Sequence, residues 1–196
     1  NYVRNDNFSI GTDPVFTISA WVKRTASVNS KGVWGLGAGG VTGQTISTWN
    51  NIGEKIGIDL WSKATFYVND DYPLNNWVHV TWVKTGPFFS TNTIKIYVNG
   101  GEKSLLVSRG SAGTDYAETL TNGFTIGGMY PAGPSYNIPA VIDDVRVYNR
   151  ALSAAEVKNI YQSGSVATKT SFSSGLLGYC PLNGDYGDYS GRKNNF

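Results

Sequence analysis

The feature that most constrains this chain is a two-residue alternation that recurs along it. In residues 15–23, Phe16, Ile18, Ala20 and Val22 fall on one side, and Thr17, Ser19, Trp21 and Lys23 on the other. That is the period of a β-strand with one face on a core. Residues 77–84 alternate again, with Val78, Val80 and Trp82 opposed to Trp77, His79, Thr81 and Val83. Both sets are largely apolar, which predicts a strand covered on both faces. Residues 93–98 place Ile94, Ile96 and Val98 opposite Lys95 and Tyr97. Asn99-Gly100 then turns the chain back into a strand near 102–107, as Asn-Gly does in two-residue hairpins. Further strands are expected near 31–37, 44–49, 55–60, 64–69, 123–127, 140–148 and 176–182, with Gly-, Asn-, Ser- and Pro-rich loops between them. Many short strands at this spacing predict an all-β, antiparallel sandwich.

Composition removes the alternatives. Aromatic residues make up 13 % and charged residues only 15 % of the chain, which excludes intrinsic disorder. The net charge of +2 comes from scattered Lys and Arg, so nothing provides the clustered basic footprint that nucleic acid requires. No stretch of about 18 apolar residues is present to span a membrane, and no leader is legible at the first residues, which begin with Asn1. The lone cysteine, Cys180, rules out an intrachain disulfide and reads as a small core residue in a buried strand. At 196 residues the chain has the length of one domain.

One short helix interrupts the strands near 153–162. Ser153 and Glu156 have capping-box spacing, Val157, Ile160 and Tyr161 recur at helical spacing, and Gly164 can end the helix. The helix is expected across an end or edge of the sandwich. Residues 163–175 have linker composition, and 176–196 resume with a strand and an Asp/Gly-rich turn.

Several of these segments resemble the laminin-G-like, pentraxin-related jelly rolls of the concanavalin A type. They are Phe16 to Lys23 (FTISAWVK), Trp77 to Lys84 (WVHVTWVK), Ile96 to Gly100 (IYVNG), Phe124 to Gly128 (FTIGG) and Ile142 to Ser153 (IDDVRVYNRALS). In family order they cover most of residues 2–162, which implies a jelly-roll domain over 1–162. One departure stands out. The family usually opens with a strand like Gly175 to Asn183 and then an Asp-x-Ser-Gly motif, here Asp188-Tyr-Ser-Gly191, whereas in this chain both follow the helix. Either 176–196 completes the same sandwich in permuted order, or it begins a neighbouring unit and pairs with another chain.

Chemistry is sparse. Glycosidases on this scaffold need paired carboxylates flanking a bond, and none of Glu54, Glu102, Glu118 and Glu156 has a second carboxylate two residues away. Asp143 and Asp144 are adjacent in a strand and point to opposite faces. The one histidine, His79, reads as a buried, hydrogen-bonded structural residue, with no nucleophile beside it. No catalytic residue is therefore expected.

The stretch Asp185 to Asn195 is dense in hard oxygen donors of the kind calcium takes. The resemblance implies a structural calcium held by Asp188, Asn194 and Asp143 or Asp144. The other reading is an Asx-turn cluster that only fixes loops. Trp49, Tyr72, Tyr116, Tyr130 and Tyr136 lie in polar or Gly/Pro-rich loops and are the candidate binding aromatics, because a ring can stack on a sugar while nearby Asn and Asp bond its hydroxyls. The resulting expectation is a non-catalytic module that binds glycan or a protein surface, extracellular or on a cell or virion surface. The alternative is a structural decoration or adhesin unit that assembles with its neighbours, by strand exchange among other routes.

Overall fold

The computed structural model describes residues 2–10, 15–27, 31–37, 46–47 (backbone only), 55–60, 63–117, 123–128, 136–164 and 173–195. Among these residues thirteen strands and one helix follow one another: β1 (Val3–Asn5), β2 (Phe16–Arg24), β3 (Trp34–Leu36), β4 (Ile46–Ser47), β5 (Gly57–Leu60), β6 (Ala64–Val68), β7 (Val78–Lys84), β8 (Ile94–Val98), β9 (Gly101–Lys103), β10 (Leu105–Arg109), β11 (Phe124–Ile126), β12 (Ala140–Tyr148), α1 (Ala154–Ser163) and β13 (Leu176–Cys180). They form two antiparallel sheets. One has seven strands in the order β1-β11-β3-β4-β5-β6-β10, the other six in the order β13-β12-β2-β7-β8-β9.

The alternating residues of the sequence are what join the sheets. Phe16, Ile18, Ala20 and Val22 of β2, Val80 and Trp82 of β7, and Ile96 of β8 point inward to meet Trp34, Phe66 and Phe124 of the opposite sheet. Trp34 packs edge-on against Trp82 at 5.6 Å and against Phe16 at 6.2 Å. The Trp82 indole N–H donates to the Gly57 carbonyl at 3.1 Å, so the ring crosses between the sheets with its polar atom satisfied. Each large ring buried this way contributes about 1.5–3 kcal/mol.

Asn99 and Gly100 sit at φ 50° and 78°, the left-handed pair a tight β8–β9 hairpin requires. The strand expected over 102–107 is in fact two. β9 closes the hairpin on β8, and after Ser104 the chain passes to the other sheet, where β10 pairs with β6. An extended run that changes sheets at a corner keeps its period, so the alternation alone does not reveal it. β1 carries no alternation long enough to read from sequence, yet it pairs with β11.

The helix begins as its sequence indicates. Ser153 accepts from the Glu156 backbone N–H, and Glu156 accepts from the Ser153 N–H at 2.8 Å. A hydrogen bond from Arg150, ahead of those from Ser153, brings the Glu156 carboxyl down to about 2. The helix lies over a face of the sandwich and reaches its edge at the β8–β9 turn, where Tyr161 meets Gly100. Val157, Ile160 and Leu152 pack with Val83, Tyr97 and Tyr148 on the outer face of the six-stranded sheet, as a second apolar cluster. This is why β7 is buried along its whole length.

β13 pairs with β12 through Val145↔Cys180 and Arg146↔Tyr179. Cys180 is buried, and burial pushes its thiol up to about 12.

Candidate functional site

The outer face of the six-stranded sheet is covered only in part. Pairing sets its rows: Asp143 faces Trp21, Trp21 faces His79, and Val141 faces Lys23. Beside these rows Trp21, Trp77, Asp143 and Gly164 line an open groove of about 240 Å³. Trp77 is 41 % exposed, with the Lys23 ammonium 5.1 Å from its ring centre. Trp21 is held from the protein side by His79 at 5.1 Å and Tyr161 at 5.7 Å. Two indoles and one carboxylate are thus offered together, Trp21 and Asp143 from strands β2 and β12 and Trp77 from the residue just before β7.

His79 lies beneath this arrangement, fully buried. Its backbone N–H donates to the Asn99 side chain, but neither ring nitrogen has a hydrogen-bond partner, which corrects the expectation of a hydrogen-bonded imidazole. Burial first, and the nearby Arg146 charge second, push it down to about 3, so it is neutral.

The loop aromatics named from sequence are bound into different parts of the scaffold. The Tyr72 hydroxyl donates to Asp70 at 3.1 Å and its ring rests on the core. The Tyr116 hydroxyl accepts from the Ser111 N–H at 2.8 Å, its backbone pairs with Phe89, and its ring meets Phe66. Tyr136 is half-buried, with the Lys31 ammonium 6.0 Å from its ring. Trp49 and Tyr130 lie outside the described residues.

Trp21 and Trp77 were hidden from sequence reasoning because each sits inside or beside a strongly alternating strand and reads as covered. The available signal was that Trp21 occupies the otherwise polar face of Thr17, Ser19 and Lys23.

The four residues considered for calcium fall into two places. Asp188 and Asn194 lie together on the free edge of β13. Asp188 Oδ1 accepts from the backbone N–H of Tyr179 and of Ser190, and Oδ2 accepts from the Ser190 hydroxyl and the Asn194 N–H, all at 2.8–2.9 Å. Burial opposes this carboxylate's charge, but those four donors outweigh it and hold the carboxyl below its usual range. Asp143 and Asp144 are across β13, on β12. Asp144 is 1 % exposed and ion-paired to Arg146 at 2.9 Å.

A calcium ion needs oxygen lone pairs turned toward it, whereas Asp188 is ringed by N–H and O–H donors. As placed, these four residues do not fit the ion, and no group of three or more His, Cys, Asp or Glu fit to hold a metal occurs among the described residues. Melting is accordingly expected to be the same with and without chelator. A drop of several degrees on adding chelator would restore the calcium reading.

The same donors show what the Asp188 cluster does. Tyr189 N–H donates to the Tyr179 carbonyl, Asn194 Nδ2 to the Leu177 carbonyl, and Arg192 Nε to the Leu176 carbonyl. Residues 185–195 thereby satisfy the outer edge of β13, and Asn195 in turn accepts from Asn5 at the end of β1.

Similar proteins are found by fold. A protein of Bacteroides ovatus with a provisional carbohydrate-binding role matches at TM-score 0.68 and 21 % identity, over 94 % of this chain and 50 % of that one. The chain thus spans half that protein's length. Domain 4 of an extracellular arabinanase from Geobacillus stearothermophilus, solved with arabinotriose, matches at TM-score 0.57 and 18 % identity, over 78 % of this chain and 68 % of that one. A heptameric pentraxin of Limulus polyphemus matches at TM-score 0.54 and 15 % identity, over 79 % and 71 % of the two chains. No curated protein matches significantly, and no helix among the described residues is long and apolar enough to cross a membrane. The family model of the concanavalin A-like lectins and glucanases covers residues 1–158, and the chain belongs to that superfamily.

Proposed function

We propose that this chain is a non-catalytic recognition module of a larger extracellular or surface protein, and that it binds glycan in the groove of Trp21, Trp77 and Asp143. Residues 2–162 and 176–195 act in this reading as one module. The observation that carries it is the pairing of an exposed indole with a carboxylate across an open groove of about 240 Å³. A sugar ring presents an apolar face for Trp77 and hydroxyls that donate to Asp143. Carbohydrate binding among proteins of similar fold supports the reading, although fold by itself does not assign a ligand.

A glycan array followed by calorimetry on the best ligand tests it. Trp77→Ala, at an exposed position, is expected to keep the melting temperature and weaken binding by about tenfold or more, or ~1.4 kcal/mol. Tyr186→Ala, on the exposed C-terminal turn, is expected to leave binding unchanged. A wild-type chain that binds no glycan on the array overturns the proposal.

A further inference from the structure

The groove has its carboxylate only because β12 contains one residue too many. β12 pairs with β2 through Asp143↔Trp21 and next through Arg146↔Ser19, so Asp144 and Val145 together oppose Ala20. Such a bulge resets the side-chain alternation of the strand. On its C-terminal side Val145 and Val147 enter the core, while Tyr148 packs under α1. On its N-terminal side Ala140 and Ile142 pack against the core, Val141 is exposed, and Asp143 opens on the groove. An unbroken alternation traced back from Arg146 puts Ile142 on the outer face and Asp143 in the core. The residue at the turning point, Asp144, has φ 54°, a left-handed conformation that Asp and Asn tolerate and β-branched residues avoid. Its carboxylate meets the buried Arg146 guanidinium, which lies 5.0 Å from the Tyr179 ring on β13.

We infer that Asp144 is a positioning residue: its left-handed backbone turns Asp143, and not Ile142, toward the ligand. The functional meaning rests on the groove being the glycan site, while the geometry is testable without any ligand.

Thiol labelling with a maleimide reads the geometry. The background is low, because Cys180 is buried. Asp143→Cys is expected to label about tenfold faster than Ile142→Cys, because position 143 lines the open groove while Ile142 packs against the core. Adding Asp144→Gly keeps that order, since glycine takes the left-handed backbone freely. Adding Asp144→Val equalises or reverses it. Both second changes remove the carboxylate from Arg146, so their difference reports the backbone and not the ion pair. If the Val variant does not fold, Asp144→Ala is read in its place.

With the best glycan of the wild type as probe, Asp144→Gly retains binding and Asp144→Val loses as much affinity as Asp143→Ala. An unchanged labelling order in both the Val and Ala variants, or equal glycan affinity in the Gly and Val variants, overturns the inference. If the wild type binds no glycan, the proposed function fails, and the labelling order still decides this point.

Discussion

Arg146→Ala is expected to destabilise the chain by about 3–5 kcal/mol, because breaking one side of a buried ion pair leaves the other charge without compensation. Arg146 and Asp144 are 2 % and 1 % exposed and 2.9 Å apart. At this chain length the loss corresponds to a fall of about 10 °C in melting temperature.

The pH dependence gives the prediction a sign. Burial pushes the Asp144 carboxyl up to about 6 from its ordinary 3.8, against the opposing pull of Arg146. A raised carboxyl favours the folded chain in its protonated form. Its contribution is fully present below pH ~4 and is lost as pH rises through about 6. In the variant the pull of Arg146 is gone and the carboxyl rises further. The melting deficit is therefore larger at pH 8 than at pH 5, where a protonated Asp144 needs no partner. Equal deficits at the two pH values, measured by calorimetry, would show that Arg146 acts through packing alone.

Asp188→Ala is expected to cost about 2–3 kcal/mol, since removing one carboxylate strands three backbone N–H groups and a hydroxyl. The effect is local in origin. Hydrogen exchange at the Tyr179 amide is expected to speed up by at least tenfold, while amides of β7, deep in the sheet, follow only the change in global stability. Asp188→Asn keeps acceptor capacity on one oxygen and is expected to recover part of the loss. Because the carboxyl is held below its usual range, its contribution is present above the ordinary carboxylate value and fades as pH falls beneath it. An Asp188→Ala chain with wild-type exchange at Tyr179 would separate this carboxylate from the edge of β13.

The sequence carried the sandwich plainly, because strand alternation in β2, β7 and β8 and the Asn99-Gly100 turn are local signals with fixed physical meanings. The helix was equally legible from Ser153 and Glu156. Its position was not: the residues that receive it, Val83, Tyr97 and Tyr148, lie on three different strands, and only pairing brings them together. The groove was hidden for a related reason. Trp21, Trp77 and Asp143 come from β2, the loop before β7 and β12, and Asp143 faces outward only because of a bulge that nothing in a strict two-residue period announces. Tyr72 and Tyr116 show the converse case. Loop position and polar neighbours suggested binding, but their hydroxyls and rings are used to fasten those loops to the scaffold. For the Asp185–Asn195 turn, of the two sequence readings, the loop-fixing one matches the hydrogen bonds seen.

The turn across β13 also bears on how copies of the chain could grow into an array. A sheet propagates without limit only if it offers two open edges that complement each other, as head-to-tail contacts do. Here, among the described residues, one edge of the six-stranded sheet has its carbonyls at Leu176, Leu177 and Tyr179 already occupied from within the chain, and the opposite edge is β9. Adding a strand at the β13 edge would therefore mean displacing these hydrogen bonds first.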